Sequence, residues 1–326
     1  MLESRFARDT ALPSAGAEQR QAMLFLLTTM VLFGSAFTSS KVTVQYFPHE
    51  VAALLRFGGG AIFLGIIAAW RRHVGVASPL DGRGVLAAAA TGLLGVFGYN
   101  AFFFLGLSMA PSIDGSAIVP VLSPVLTVAI LGLAGVERIR QRVVVGLTLG
   151  IVGVAVFIGS SAATASGGLT GTRALGDLVF LAGALCWALY TISSKKLLAG
   201  KDPVEATTWA TIAGTGGLLL LAAPELPEGL ASTSLVAWLN VAYLAAGPTA
   251  LAYLCYARGL SKSSPTTATI MMLTVPLFSF VTAYAFLGER FSAWGIAGVT
   301  LMFAGAMVTL GLADRVRALV RNQSPG

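Results

Sequence analysis

Arg56 interrupts an apolar run that extends over 49–70. About seven residues into a helix rising 1.5 Å per residue, it stands ~10 Å below the surface of any bilayer the run crosses. Arginine costs up to ~2.5–3.5 kcal/mol at a bilayer centre, and less towards an interface. Two roles fit. A guanidinium facing a cavity holds a carboxylate or another anion. A guanidinium bonded to helix carbonyls, or snorkelling to the surface, is structural.

Other apolar runs carry polar and aromatic side chains together. Ser35, Thr38, Ser39, Ser40 and Lys41 share one run, and Trp187, Tyr190, Thr191 and Ser193 another. Tyr99 and Asn100 precede Phe102, Phe103 and Phe104, and Tyr253 and Tyr256 lie in a later run. A cavity for a partly apolar solute needs this mixture of faces to stack on and a few groups to orient the ligand. The candidate binding set is Arg56, Thr38, Ser39, Tyr99, Asn100, Trp187, Tyr190, Tyr253 and Tyr256. Hydrogen bonding between helices is the alternative use of the Ser and Thr hydroxyls. Three successive phenylalanines cannot share one helix face, so several face lipid. Lys41, near the end of its run, is expected to snorkel.

Pro120, Pro124, Pro248 and Pro276 fall inside runs. Each removes a backbone bond and frees the carbonyl four residues earlier, which must face protein or a wet cavity. Pro120, Pro124 and Pro276 are therefore candidate hinge and cavity positions. Glu137 and Glu289 stand at junctions between runs, where helix capping and gate closure suit a carboxylate. Metal chemistry lacks ligands: His49 and His73 are the only histidines, and both are expected in loops. Cys186 and Cys255 fall inside runs and read as packing residues rather than a disulfide. No cofactor is implied.

The elements that must position these residues are membrane helices. Hydrophobic residues make up 56% of the 326, charged residues 11%, and the mean hydropathy is +0.82. Ten runs of ~20 residues, the length that crosses a ~30 Å core, fill most of the chain. They cover 22–44, 49–70, 84–107, 112–134, 142–161, 174–195, 203–223, 233–257, 264–287 and 292–313. Residues 1–20 are polar without an apolar core, so they are not a cleavable signal, and 314–326 form a basic tail. With the N-terminus inside, every Lys and Arg falls in an inner segment except Lys41, Arg56, Arg173 and Arg290. The positive-inside rule then places both termini in the cytoplasm. The net charge of +7 follows from this orientation and does not call for nucleic acid.

The second five runs repeat the first five. A shift of 152 residues lays Pro124 on Pro276, Glu137 on Glu289, Arg138 on Arg290, Gly146 on Gly298 and Gly153 on Gly305. A shift of 153 lays Gly106-Leu107-Ser108 on Gly259-Leu260-Ser261. Five spans per copy invert the second copy relative to the first, a common construction of secondary transporters. The predicted fold is an all-α polytopic membrane protein of ten helices in two inverted five-helix repeats, 21–161 and 174–313.

These residues carry a family resemblance. Leu55-Arg56-Phe57, Gly106-Leu107, Ser123-Pro124-Val125, Val275-Pro276-Leu277 and Leu287-Gly288-Glu289-Arg290 make the chain similar to the EamA family of the drug/metabolite transporter superfamily. In Gly135-Val136-Glu137-Arg138, valine replaces the usual glycine. The resemblance implies ten helices in inverted repeats and movement of small organic solutes, often outward. Arg56 with the aromatics then suggests amino acids or related carboxylates, exported across an inner membrane by alternating access. Drug export and a non-transporting sensor or scaffold are the alternatives. Asp114 and Asp177 lie near interfaces and no carboxylate is expected at the midplane, which favours facilitated transport or exchange over a proton relay. Intramembrane enzymes are disfavoured by the lack of a deep histidine or a paired acid. Gly146, Gly150, Gly153, Gly295, Gly298 and Gly305 form small-residue faces suited to close internal packing, with a homodimer as a second use.

Overall fold

A computed structural model describes residues 15–135, 141–163, 171–197, 200–230, 234–261, 271–290 and 292–310. Every element among the described residues is helical. In order these are α1 (Ala15–Thr43), α2 (His49–His73), α3 (Gly82–Gly92), α4 (Tyr99–Met109), α5 (Ser112–Leu133), α6 (Gln141–Ala163) and α7 (Gly171–Leu197). They continue as α8 (Pro203–Ala222), the single turn α9 (Leu226–Gly229), α10 (Leu235–Leu244), α11 (Ala252–Ser261), α12 (Val275–Leu287) and α13 (Ala293–Leu310). Two π-helical stretches join neighbours into continuous rods. π1 (Leu93–Gly98) links α3 to α4, and π2 (Ala245–Leu251) links α10 to α11. Among the described residues six helical segments are long and apolar enough to cross a membrane: Arg20–Thr43, His49–His73, Gly82–Met109, Ser112–Leu133, Gly171–Ser194 and Leu235–Tyr256. Gln141–Phe157, Val275–Leu287 and Ala293–Val308 are shorter apolar helices.

Local chemistry sets the ends. Asp81 caps α3 by accepting from Gly84 N at 3.0 Å, and Asp202 caps α8 through Val204 N and Glu205 N, both 3.0 Å. Pro48 and Pro111 precede α2 and α5, and Pro203 opens α8 where its missing N–H costs nothing. Gly288 ends α12 with φ of 65°, a left-handed conformation that favours glycine.

The helices pack in a set of pairs. α1 lies against α12 and α11, and α7 lies against α5 and α4. The α3 helix packs on α8, while α10 and π2 pack on α2. The α2 helix runs along α8, and α6 along α13. The last seam is made of glycines. A Cβ on Gly298 would stand 2.8 Å from the Gly153 carbonyl oxygen, and a Cβ on Gly305 2.6 Å from that of Gly146. Numbers rise along one helix as they fall along the other, so α6 and α13 are antiparallel with backbones in contact. The glycine faces are thus consumed inside the chain.

Pro276 and the phenylalanines depart from the sequence expectation. Pro120 and Pro124 do lie within the continuous α5, but Pro276 sits in the first turn of α12 behind a turn at Leu273–Thr274. A proline at a helix start frees no carbonyl. Of the three phenylalanines, only Phe102 is outward, at 37% exposure; Phe103 and Phe104 are buried in the core with Phe57, Phe157 and Phe180.

Candidate functional site

Arg56 is buried at 7% exposure, one helical turn before Gly60 on α2. Its Nε donates to Thr249 Oγ1 and its Nη1 to Ser40 Oγ, both at 3.3 Å. The guanidinium carbon stands 4.9 Å from the Phe57 ring centre and 5.8 Å from that of Phe103. Among the described residues no carboxylate lies within 4 Å of it. The cation is therefore held by hydroxyls and ring faces, and a buried charge of this kind calls for an anionic partner.

Aromatic rings from four helical rods close around this region. Phe37 of α1 meets Phe103 at 5.1 Å between centres, and Tyr99 meets Phe103 at 5.6 Å. Tyr99 meets Trp187 of α7 at 5.0 Å, and Trp187 meets Tyr190 at 5.3 Å. Phe33 meets Tyr253 of α11 at 5.8 Å. Tyr256 packs on the same core. Tyr190 can come this close only because position 95 in π1 lacks a side chain: a Cβ there would collide with its ring.

The other candidates divide. Thr38 Oγ1 bonds Thr282 Oγ1 on α12 at 2.8 Å, and Ser39 Oγ donates to Asn240 Oδ1 on α10 at 2.8 Å. Both hydroxyls are used between helices. Asn100 is buried, and its Nδ2 donates to Val96 O at 2.9 Å and Gly95 O at 3.4 Å. These are carbonyls of π1, where the wider turn misaligns the backbone ladder. Among the described residues its Oδ1 has no hydrogen-bond partner. Thr249 and Asn240 were not singled out from the sequence. Thr249 directly follows Pro248, a proline within a π stretch, and that dipeptide is the available signal.

The junction acids also resolve. Glu289 accepts from Ser112 N at 3.0 Å, Ser112 Oγ at 2.8 Å and Ile113 N at 3.0 Å, so it caps α5 from across the chain. Glu137 lies outside the described residues. Lys41 does not snorkel. Its Nζ donates to Leu107 O and, at 2.8 Å, to Ala110 O, binding the carbonyl end of α4. Asp114 is fully buried and pairs with Arg173 through two bonds of 2.7 and 2.9 Å. At the Arg71 end, Arg71 holds Asp202 at 2.9 and 3.0 Å and Arg72 holds Glu205 at 2.7 and 3.0 Å. Lys201 meets Asp81 at 2.7 Å. Burial alone would push the Asp202 carboxyl up, but the Arg71 bond and the N–H groups of Glu205 and Val204 hold it below its ordinary value. The Lys201 ammonium and the Gly84 N–H do the same for Asp81.

The chain is similar to several known proteins. The aromatic amino acid exporter YddG of Ancylobacter novellus is 27% identical over 89% of this chain and 97% of its own. A probable terminal-alkyne amino-acid exporter of Streptantibioticus cattleyicolor is 28% identical over 88% of this chain and 93% of its own. The uncharacterized transporter YyaM of Bacillus subtilis is 25% identical over 89% and 93%. A solved crystal structure superposes with a TM-score of 0.62 at 24% identity, covering 94% of this chain and 99% of that one, and this likeness carries the fold alone. The model of the EamA-like transporter family matches twice, over residues 20–159 and 174–311. Matched along nearly its whole length, the chain belongs to the EamA-like transporter family.

Proposed function

We propose that the chain exports small metabolites bearing a carboxylate, amino acids foremost, across an inner membrane by alternating access. One observation carries the substrate class: Arg56, buried, with no carboxylate beside it among the described residues, and walled by Phe57 and Phe103. A guanidinium forks a carboxylate, and the ring faces of Tyr99, Trp187, Tyr190 and Tyr253 suit an apolar side chain. The names of the Ancylobacter and Streptantibioticus relatives, both amino-acid exporters, support the same class.

The architecture we assign is ten spans in two inverted repeats, 21–161 and 174–313, with both termini cytoplasmic. Several features support it. The two π stretches start 152 residues apart, at Leu93 and Ala245, which is the spacing of the Pro, Glu-Arg and Gly matches. Swapping the halves turns the α1–α12 contact into α7–α5 and the α1–α11 contact into α7–α4. It also turns Gly153–Gly298 into Gly305–Gly146. Transport then rocks one half against the other around the Arg56 region. With the glycine seam internal, the assignment needs no homodimer.

The test is counterflow in proteoliposomes with a panel of amino acids, sugars, nucleosides and cationic drugs, run with and without a proton gradient. Saturable movement of amino acids, lost in Arg56→Ala protein that elutes as the wild type does, is the expected result. Movement of another class alone, or of none, would overturn the substrate class.

A further inference from the structure

We propose that Thr249 is the positioning residue for Arg56: it fixes the guanidinium so that the remaining donors face a ligand carboxylate. The inference rests on the reading of Arg56 as the carboxylate-binding group. It concerns a residue of the second half acting on one of the first.

Thr249 lies in π2, is fully buried, and reaches the Nε of Arg56 at 3.3 Å. Ser40 on α1 takes one Nη1 donor at the same distance. Of the five N–H groups of a guanidinium, these two bonds leave three, two on Nη2 and one on Nη1, for a ligand. A forked carboxylate bond requires two adjacent donors in a fixed plane. Gripping Nε from one helix and Nη1 from another sets that plane. A free arginine side chain would have to lose its rotamer freedom on binding, and here that loss is already made.

The approach is built into both chains. Gly60 stands one turn beyond Arg56 on the same face of α2, and a Cβ there would collide with the Thr249 methyl. The neighbouring Gly59 leaves room for the Ala245 methyl, which a Cβ would meet at 2.6 Å. The π turn brings position 249 inward, and the two glycines let it come close. Removing the hydroxyl and refilling the gap therefore act on Arg56 by separate routes.

The test uses reconstituted full-length protein and two probes, L-phenylalanine and its carboxylate-free counterpart 2-phenylethylamine. Thr249→Val keeps the shape and removes the oxygen. It is expected to raise the KM for phenylalanine about tenfold, the worth of one hydrogen bond to a charged group, and to leave the KM for the amine within about twofold. Thr249→Ser, which keeps the oxygen, is expected to behave as wild type. Gly60→Ala is expected to reproduce the Thr249→Val ratio. A purely structural loss would shift both probes together, or lower Vmax alone, and would overturn the proposal. So would a wild-type phenylalanine KM in Thr249→Val beside a clear loss in Arg56→Ala, which leaves the carboxylate site standing. Unimpaired phenylalanine transport by Arg56→Ala, or none by the wild type, would remove the site itself and this inference with it.

Discussion

Glu289 closes the N-terminus of α5 at Ser112, 177 residues away in sequence, with bonds of 3.0 Å to its N–H and 2.8 Å to its hydroxyl. A third bond reaches Ile113 N at 3.0 Å. The first turn of a helix carries unpaired N–H groups and partial positive charge, so a carboxylate serves both. Glu289→Ala should lower stability by ~1–2 kcal/mol, and Glu289→Gln by less. Thermal unfolding in detergent measures this, and an alanine variant melting with the wild type would show that the cap is not made.

The Arg71–Asp202 pair ties α2 to the start of α8, and its pH dependence has a definite sign. The folded Asp202 carboxyl lies below its unfolded value. Its contribution is therefore fully present above the unfolded value of ~3.9 and is lost as the pH falls from there through the lower folded one. Both side chains are partly solvated, at 19% and 26% exposure, so the ion pair contributes at most ~1 kcal/mol. Melting temperatures between pH 6 and pH 3 should fall more steeply for wild type than for Asp202→Asn. Parallel curves would rule the pair out as the source.

Two glycines should respond oppositely to alanine. A Cβ on Gly298 meets the Gly153 oxygen and the Phe157 N, both at 2.8 Å, whereas one on Gly65 meets nothing within 4 Å. Gly298→Ala should cost ~1–3 kcal/mol through overpacking. Gly65→Ala should stabilise by up to ~1 kcal/mol, the difference in helix propensity. Equal shifts in melting temperature would contradict the α6–α13 seam.

Asn100 and Trp187 were grouped together by composition, but they should separate by experiment. The Asn100 amide holds π1 carbonyls, so Asn100→Ala should lose ~1–3 kcal/mol of stability. Trp187 contributes a ring face between Tyr99 and Tyr190. Trp187→Ala should change the ratio of KM values between large and small amino acids. An Asn100→Ala protein of full stability, or unchanged ratios in Trp187→Ala, would exchange or cancel these roles.

Residues whose role follows from their place in a run or along a repeat were legible in the sequence. The capping role of Glu289 followed from its place at a junction. The close-packed glycines followed from their spacing, and Arg56 stood out by its cost in an apolar run. What escaped was each choice of distant partner. Lys41 near a helix end satisfies a snorkelling pattern as well as it satisfies the carbonyls of Leu107 and Ala110, and only the path of α4 decides. Pro276 reads as its counterpart Pro124 does, yet a turn before it places it at a helix start. Thr249 gained its meaning from a π stretch, a change of helical pitch that hydropathy does not encode.

Gly153 against Gly298 and Gly146 against Gly305 are one contact made twice. Had the halves been two copies of one shorter chain, any change at that contact would have struck both ends of the seam together. Within a single chain the two ends mutate one at a time. A bulkier residue at position 298 leaves the Gly146–Gly305 end intact, so one end can loosen while the other still anchors. On the proposed inverted-repeat architecture, a single chain lets the two ends of the α6–α13 seam differ in stiffness, where a symmetric pair would keep them alike.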